Sequence, residues 1–216
     1  MFEYYRQKKG RILLTFLVIL LPVAAGLIMW QHLPAQIPTH FGINGQVDKW
    51  SGKAVAVFGL PLIVAGVQAL CLLLTGMDPK RRNISWKLFG IVLWICPVVS
   101  VLCGALTYMA ALQVPLNINL IMDFFAGFLF LVIGNYLPKC RQNYTMGIKL
   151  AWTLNDEANW AYTHRLAGKI WTAGGLIVIL TAFLNMTWLL LPVLLVMVLV
   201  PMVASYRYYR LHNREE

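Results

Sequence analysis

Charge is the scarcest property of this 216-residue sequence: 12% of its residues are charged, 60% are apolar, and the mean hydropathy is +0.69. A soluble chain carries about 25% charged residues because its surface must be wetted, so an ordinary soluble domain is excluded. Acids are fewest, eight against 18 Lys and Arg. Four cysteines without a Cys-x-x-Cys pair exclude a disulfide scaffold and a zinc ribbon. No repeat of 20–50 residues and no low-complexity segment is present. The period-2 alternation of an outer-membrane barrel strand is missing too.

What the chain does have is long apolar runs. They cover Ile12–Trp30, Ala54–Gly76, Leu88–Leu112, Ile118–Leu137, Ile170–Leu184 and Trp188–Tyr206. A span needs about 20 apolar residues, and lipid offers the backbone no hydrogen-bond partners, so each run should close its bonds as a helix. The fifth run is short, but 161–169 before it is helix-compatible and could extend it. The expected fold is an all-α integral membrane protein of six transmembrane helices. A two-helix unit, 1–80, precedes a four-helix region, 81–216.

Sixteen of the 18 basic residues fall in the N-terminal segment, the second-to-third and fourth-to-fifth loops, and the tail; only Lys49 and Lys53 lie opposite. Cytoplasmic loops are enriched in Lys and Arg, so both termini are expected in the cytoplasm (N-in/C-in). The basic start and small residues at Val23 and Ala25 resemble a signal peptide. The apolar run nevertheless continues to Trp30, which favours an uncleaved first span.

Polar chemistry is confined to an outer loop, 31–53, and an inner loop, 138–169. In the outer loop Asn44-Gly45 is a hairpin signal, because both residues tolerate positive φ in a type I′ turn. That turn pairs Ile43 with Gln46, Phe41 with Asp48 and Thr39 with Trp50. Thr39, Phe41, Ile43, Asp48 and Trp50 then share one face, with His40 and Lys49 on the other. Two readings follow: a cap on the helix ends with Trp50 as interfacial anchor, or a face that binds a peptide or lipid headgroup. His32 and His40, eight residues apart across two prolines, match no metal-ligand spacing; no metal or cofactor is expected.

The inner loop is dense in amides, hydroxyls and aromatics. Thr153-x-x-Asp156 reads as a capping box. From there Trp160, His164, Gly168 and Trp171 fall on one face of a helix running into the fifth span. A loop with this hydrogen-bonding capacity should fold against the helix ends. His164 beside Arg165 has no nucleophile or acid at a recognisable spacing, so a structural or partner-binding role is preferred to catalysis.

Gly134-Asn135-x-x-Pro138-Lys139-x-Arg141-x-Asn143, Gly147-Ile148, Trp152-Thr153-Leu-x-Asp-Glu157, Trp160 and Thr163-His164-Arg165 together resemble the signature of the SdpI family. These bacterial membrane proteins are named for immunity to the sporulation-delaying-protein toxin. Leu33-Pro34-x-x-Ile37-Pro38-Thr39-His40-Phe41-Gly42 and Gly45-x-x-Asp48-x-Trp50 are similar to the N-terminal domain of longer members. The family often has Arg-Thr-Pro before Trp-Thr-Leu; here Lys149-Leu150-Ala151 keeps the charge and loses the stiff corner.

The resemblance implies a non-enzymatic immunity and signalling protein. Its expected partners are membrane lipids, a secreted peptide toxin outside and a transcriptional repressor inside. Thr39, His40, Phe41, Asp48, Trp50 and Asp123 are the outer candidates for meeting the toxin. The inner signature residues would report occupancy or hold the repressor. Asp123 is the one acid inside a span, about 7–8 Å from Ile118 along the helix. Intramembrane acids point to function, so a proton-coupled transporter or channel is the alternative, and a membrane enzyme acting on lipid or cell-wall precursors a lesser one. The bland reading of Asp123 is an acid that snorkels to water or stays protonated against Thr107 or Tyr108. Nucleic-acid binding is not expected, because the +10 charge is spread over four segments beside membrane.

Overall fold

The computed structural model describes Tyr5 and residues 8–212; Arg6 and Arg214, counted above toward orientation, lie outside them. Six helical segments among the described residues are long and apolar enough to cross a membrane: Lys9–Ile28, Lys53–Met77, Trp86–Ala111, Ile118–Lys139, Glu157–Phe183 and Thr187–His212. Leu13, Leu62, Ile63, Leu180 and Leu195 all face outward, an arrangement suited to lipid. The chain divides into two compact units, 1–77 with 89–118, and 78–88 with 119–216.

In the first unit the opening span is broken into α1 (Lys9–Ile19) and α2 (Leu21–Ile28), with Pro22 in the first turn of α2. Val23 N–H turns back to Leu20 O, which leaves the Ile19 carbonyl without its usual helical donor. Ser100 Oγ supplies one at 2.8 Å, and Tyr108 OH donates to Pro22 O at 2.7 Å. The hydroxyls come from α4 (Trp86–Ala111). Gly104 of α4 lies against Pro22, where a Cβ would stand 2.6 Å from the ring. Fully buried Gln68, on α3 (Lys53–Met77), bridges Thr15 Oγ1 and Leu93 O.

Between α2 and α3 stand β1 (Gln36–Phe41) and β2 (Val47–Gly52), an antiparallel pair. Its register differs from the sequence expectation by one residue over most of its length: Gln36 faces Gly52, Ile37 faces Ser51, Pro38 faces Trp50 and Phe41 faces Val47, with irregularities between Pro38 and Phe41. The turn is the cause. Gly45 has φ +75° but Asn44 is not in the positive-φ region, so the turn is not type I′. Instead Gly45 N–H bonds Gly42 O and Gly42 N–H bonds Gln46 O, both at 2.8 Å. This is a three-residue loop with glycine in the left-handed position. The extra residue shifts the register and breaks the proposed common face, since a one-residue slip exchanges faces.

In the second unit α5 (Ile118–Tyr136) packs on α7 (Glu157–Phe183) through glycines. A Cβ on Gly134 would stand 2.6 Å from Thr172 N, and one on Gly127 would stand 2.8 Å from Gly175 O. The two glycines, seven apart, therefore serve packing within the chain. A short helix, α6 (Ala151–Asn155), precedes α7, and α8 (Leu190–His212) follows it. The fifth span is longer than its apolar run because α7 begins at Glu157. Its N-cap is Asp156, whose carboxylate accepts from Ala158 and Asn159 N–H at 2.7 and 3.1 Å. Thr153 does not start this helix as the capping-box reading had it. It lies inside α6, where its Oγ1 accepts from Leu150 N–H at 2.9 Å.

Candidate functional site

The hairpin is seated from one side. Leu33 and Ile37 are buried with Ala56, Val57 and Tyr108, flanked by Met29, Trp30 and Phe58. Lys53 closes its base: its N–H bonds Ala35 O, and Nζ reaches Trp30 O at 2.7 Å over the indole. On the free side Trp50 is 55% and Ile43 70% exposed, and Phe41 is half-buried. His40 Nδ1 lies 2.6 Å from Asp48 Oδ1, and Thr39 Oγ1 is 2.9 Å from Ser51 Oγ. His40 and Asp48 thus meet, although the expected alternation put them on opposite faces. The candidate hairpin residues form two polar contacts beside exposed apolar side chains.

Asp123, in the second unit, is buried on α5 and accepts from Thr187 Oγ1 at 2.7 Å. Its described partner is this hydroxyl, from the turn before α8, in place of the Thr107 or Tyr108 considered from sequence. Tyr108 OH is committed to Pro22 O.

The loop from Leu137 to Asp156 is held by buried polar side chains. Asp78, 3% exposed, accepts from Lys80 N–H at 2.7 Å, Tyr144 N–H at 2.9 Å and Thr145 Oγ1 at 2.6 Å. Gln142 donates to Thr153 O and Leu154 O, each at 2.9 Å, and accepts from Lys80 Nζ. Asn83 donates to Gln142 O. Fully buried Asn143 folds the next turn, accepting from Thr145 and Met146 N–H and donating to Arg141 O. Unpaired, each such buried group would cost about 1–3 kcal/mol.

Trp160 and His164 stack with ring centroids 4.0 Å apart. Trp160 Nε1 donates to Cys140 O at 2.8 Å. His164 Nδ1 lies 2.8 Å from Trp160 O and Nε2 accepts from Ile148 N–H at 3.0 Å. A carbonyl can only accept, so Nδ1 carries the proton and both ring nitrogens of the neutral imidazole are used. Gly147, at φ +108°, presses on this pair, and any Cβ there would collide with His164 Nε2. Burial pushes the Cys140 thiol up from its ordinary value, with a smaller opposing effect from the Asn143 hydrogen bond.

A second cluster ties the loop to α8. Trp152 Nε1 donates to Ser205 Oγ at 2.8 Å, and Ser205 Oγ donates to Asn159 Oδ1, which also accepts from Thr163 Oγ1. Trp152 packs against Tyr206 and Tyr209. The structure thus gathers Asn143, Gly147, Trp152, Thr153, Trp160 and His164 into the fold of the loop. Pro138 abuts Gly168. Asn135, Lys139, Arg141 and Arg165 remain exposed.

Sequence reasoning missed Asp78, Asn83 and Ser205 as parts of this site. Asp78-Pro79 carries a turn signal, but two of the three donors to Asp78, on Tyr144 and Thr145, lie 66 and 67 residues away. Among the described residues no three His, Cys, Asp or Glu side chains converge as a metal site.

Comparison with known proteins matches residues 139–205 to the SdpI/YfhL protein family and residues 17–65 to a domain of unknown function, DUF1648. The chain is 25% identical over 205 residues, 93% of its length and 97% of the relative's, to "Immunity protein SdpI" of Bacillus subtilis (strain 168). No solved structure matches it. The resemblance read from the loop motifs is therefore borne out, on both segments that carry it.

Proposed function

We propose, taking the likeness to the SdpI/YfhL family as premise, that this chain is a non-enzymatic membrane immunity protein that protects its cell against a secreted peptide toxin. The observation carrying this reading is the similarity to an immunity protein along 93% of the chain. Both termini lie in the cytoplasm, as the distribution of Lys and Arg favours. The hairpin then faces outward and offers Trp50, Ile43 and the His40–Asp48 pair to the peptide. Its Leu33 and Ile37 anchor keeps that surface presented at the membrane. The loop 138–156 faces the cytoplasm and holds a soluble partner, a transcriptional repressor in the fullest form of this reading.

The test is protection of a sensitive Gram-positive host lacking its own immunity gene. Cells expressing the chain should keep membrane potential and survive the sporulation-delaying peptide. Trp50→Ala should lose protection at unchanged protein level, because Trp50 is exposed and its removal leaves the hairpin anchor intact. Loss of protection in Asp123→Asn would add that acid as an independent requirement. Retained protection in both variants would overturn the outer-site reading.

Burial of Asp123 within a membrane-spanning helix supports a second reading, a proton-coupled transporter or channel. It requires proton or substrate flux in proteoliposomes that disappears in Asp123→Asn.

A further inference from the structure

A cavity of about 590 Å³ lies in the second unit, lined by Asn83, Lys139, Arg141, Glu157 and Trp160 among others. That volume is within the range of about 300–1,000 Å³ usual for small-ligand sites. Most of the lining polar groups are already engaged. Gln142 uses its amide on Thr153 O, Leu154 O and Lys80 Nζ, and Trp160 Nε1 is on Cys140 O.

Three charges on the lining are not engaged in this way. Lys139, Arg141 and Glu157 are exposed, and none forms an ion pair among the described residues. Lys139 Nζ sits 4.7 Å from the Tyr136 ring centroid, a contact that leaves its three N–H donors available. Asn83 donates through Nδ2 to Gln142 O and keeps its amide oxygen as an acceptor. A complementary occupant therefore carries an anion for Arg141 and Lys139, together with a cationic donor for Glu157 and Asn83.

The level of the cavity indicates where that occupant comes from. Lys139 ends one apolar helical segment and Glu157 begins the next, and the Lys139–Tyr136 pair is the basic and aromatic ending found at headgroup depth. We propose that this cavity binds the phosphoethanolamine headgroup of a membrane lipid. The phosphate lies on the Arg141 guanidinium and Lys139, and the ammonium on the Glu157 carboxylate. A planar guanidinium suits phosphate because it donates two parallel hydrogen bonds. A choline headgroup has no N–H to give Glu157, and a glycerol headgroup has no cation. The site does not depend on the immunity reading.

The full chain, purified in detergent, is titrated with dioleoyl phosphatidylethanolamine, phosphatidylglycerol or phosphatidylcholine, and bound lipid is counted by native mass spectrometry. Phosphatidylethanolamine should bind in preference to both others. Arg141→Gln should weaken it about tenfold, as expected for losing hydrogen bonds to a charged group. Glu157→Gln should keep lipid binding but lose the preference over phosphatidylglycerol. Both residues are exposed, and unchanged thermal melting confirms that the variants are folded. Equal binding of the three lipids by the natural chain, or undiminished binding by folded Arg141→Gln, overturns the proposal. Soluble phosphoethanolamine should compete only weakly; binding as tight as the lipid's would make the ligand a water-soluble phosphate ester and overturn the lipid assignment.

Discussion

Asp78 shows how much one side chain can organise. Its carboxylate gathers two backbone N–H groups and one hydroxyl, and two of those three donors lie on the loop 138–156. Asp78→Ala leaves them without an acceptor in a buried place. We expect a loss of about 3 kcal/mol, the upper end for leaving buried hydrogen-bonding groups without a partner, read as a lower melting temperature and faster proteolysis near Tyr144. Unchanged protection of that segment would show that the loop is held by other contacts. The importance of His164 was legible as a motif residue, yet its use was not. Nδ1 meets Trp160 O, four residues back on the same helix, but only the position of Ile148 N–H, set by the fold of a separate turn, shows that both nitrogens are consumed.

Helical elements were readable wherever apolar length decided them, and less so where polar detail did. The fifth run looked short because α7 starts with polar Glu157, Asn159 and Thr163; a helix can extend beyond its apolar core when those groups find partners. Asn159 and Thr163 do, at Ser205 and at each other. The hairpin was legible from Asn44-Gly45, but the turn took the three-residue form, and at the irregularity around the His40–Lys49 pair the Asp48 carboxylate reaches His40. The glycines of α5 find their partner only in the packed fold. Gly134→Ala places a Cβ 2.6 Å from Thr172 N, a backbone atom that cannot rotate away. Overpacking of this kind costs about 1–3 kcal/mol, and thermal unfolding in detergent should show it, whereas Gly10→Ala, with open space around it, should change little in the same assay.

For the whole molecule, orientation is the property most open to direct test. A membrane-impermeant succinimidyl ester added to intact cells should modify Lys49 on the hairpin. Lys80, Lys87, Lys149 and Lys169 should react only after lysis, as peptide mass spectrometry would show. The reverse pattern would invert the proposed topology and move the hairpin away from any external toxin. Lys53 is a poorer reporter, since its Nζ is held by Trp30 O.

The membrane class, the six spans and the segments that resemble a known family were all legible before any contact was known. These depend on composition, apolar length and local motif, and lipid leaves a chain of such runs little alternative to helices. Tertiary structure decided which groups meet. It gave Asp123 the Thr187 hydroxyl, Asp78 the loop donors, His164 the Ile148 N–H and Gly134 its neighbour on α7. Each of these contacts joins residues far apart in the chain or depends on a turn whose geometry short-range propensity leaves open. Distances between side chains arise from packing, and a residue pattern along one helix carries no record of the surface against which it will pack.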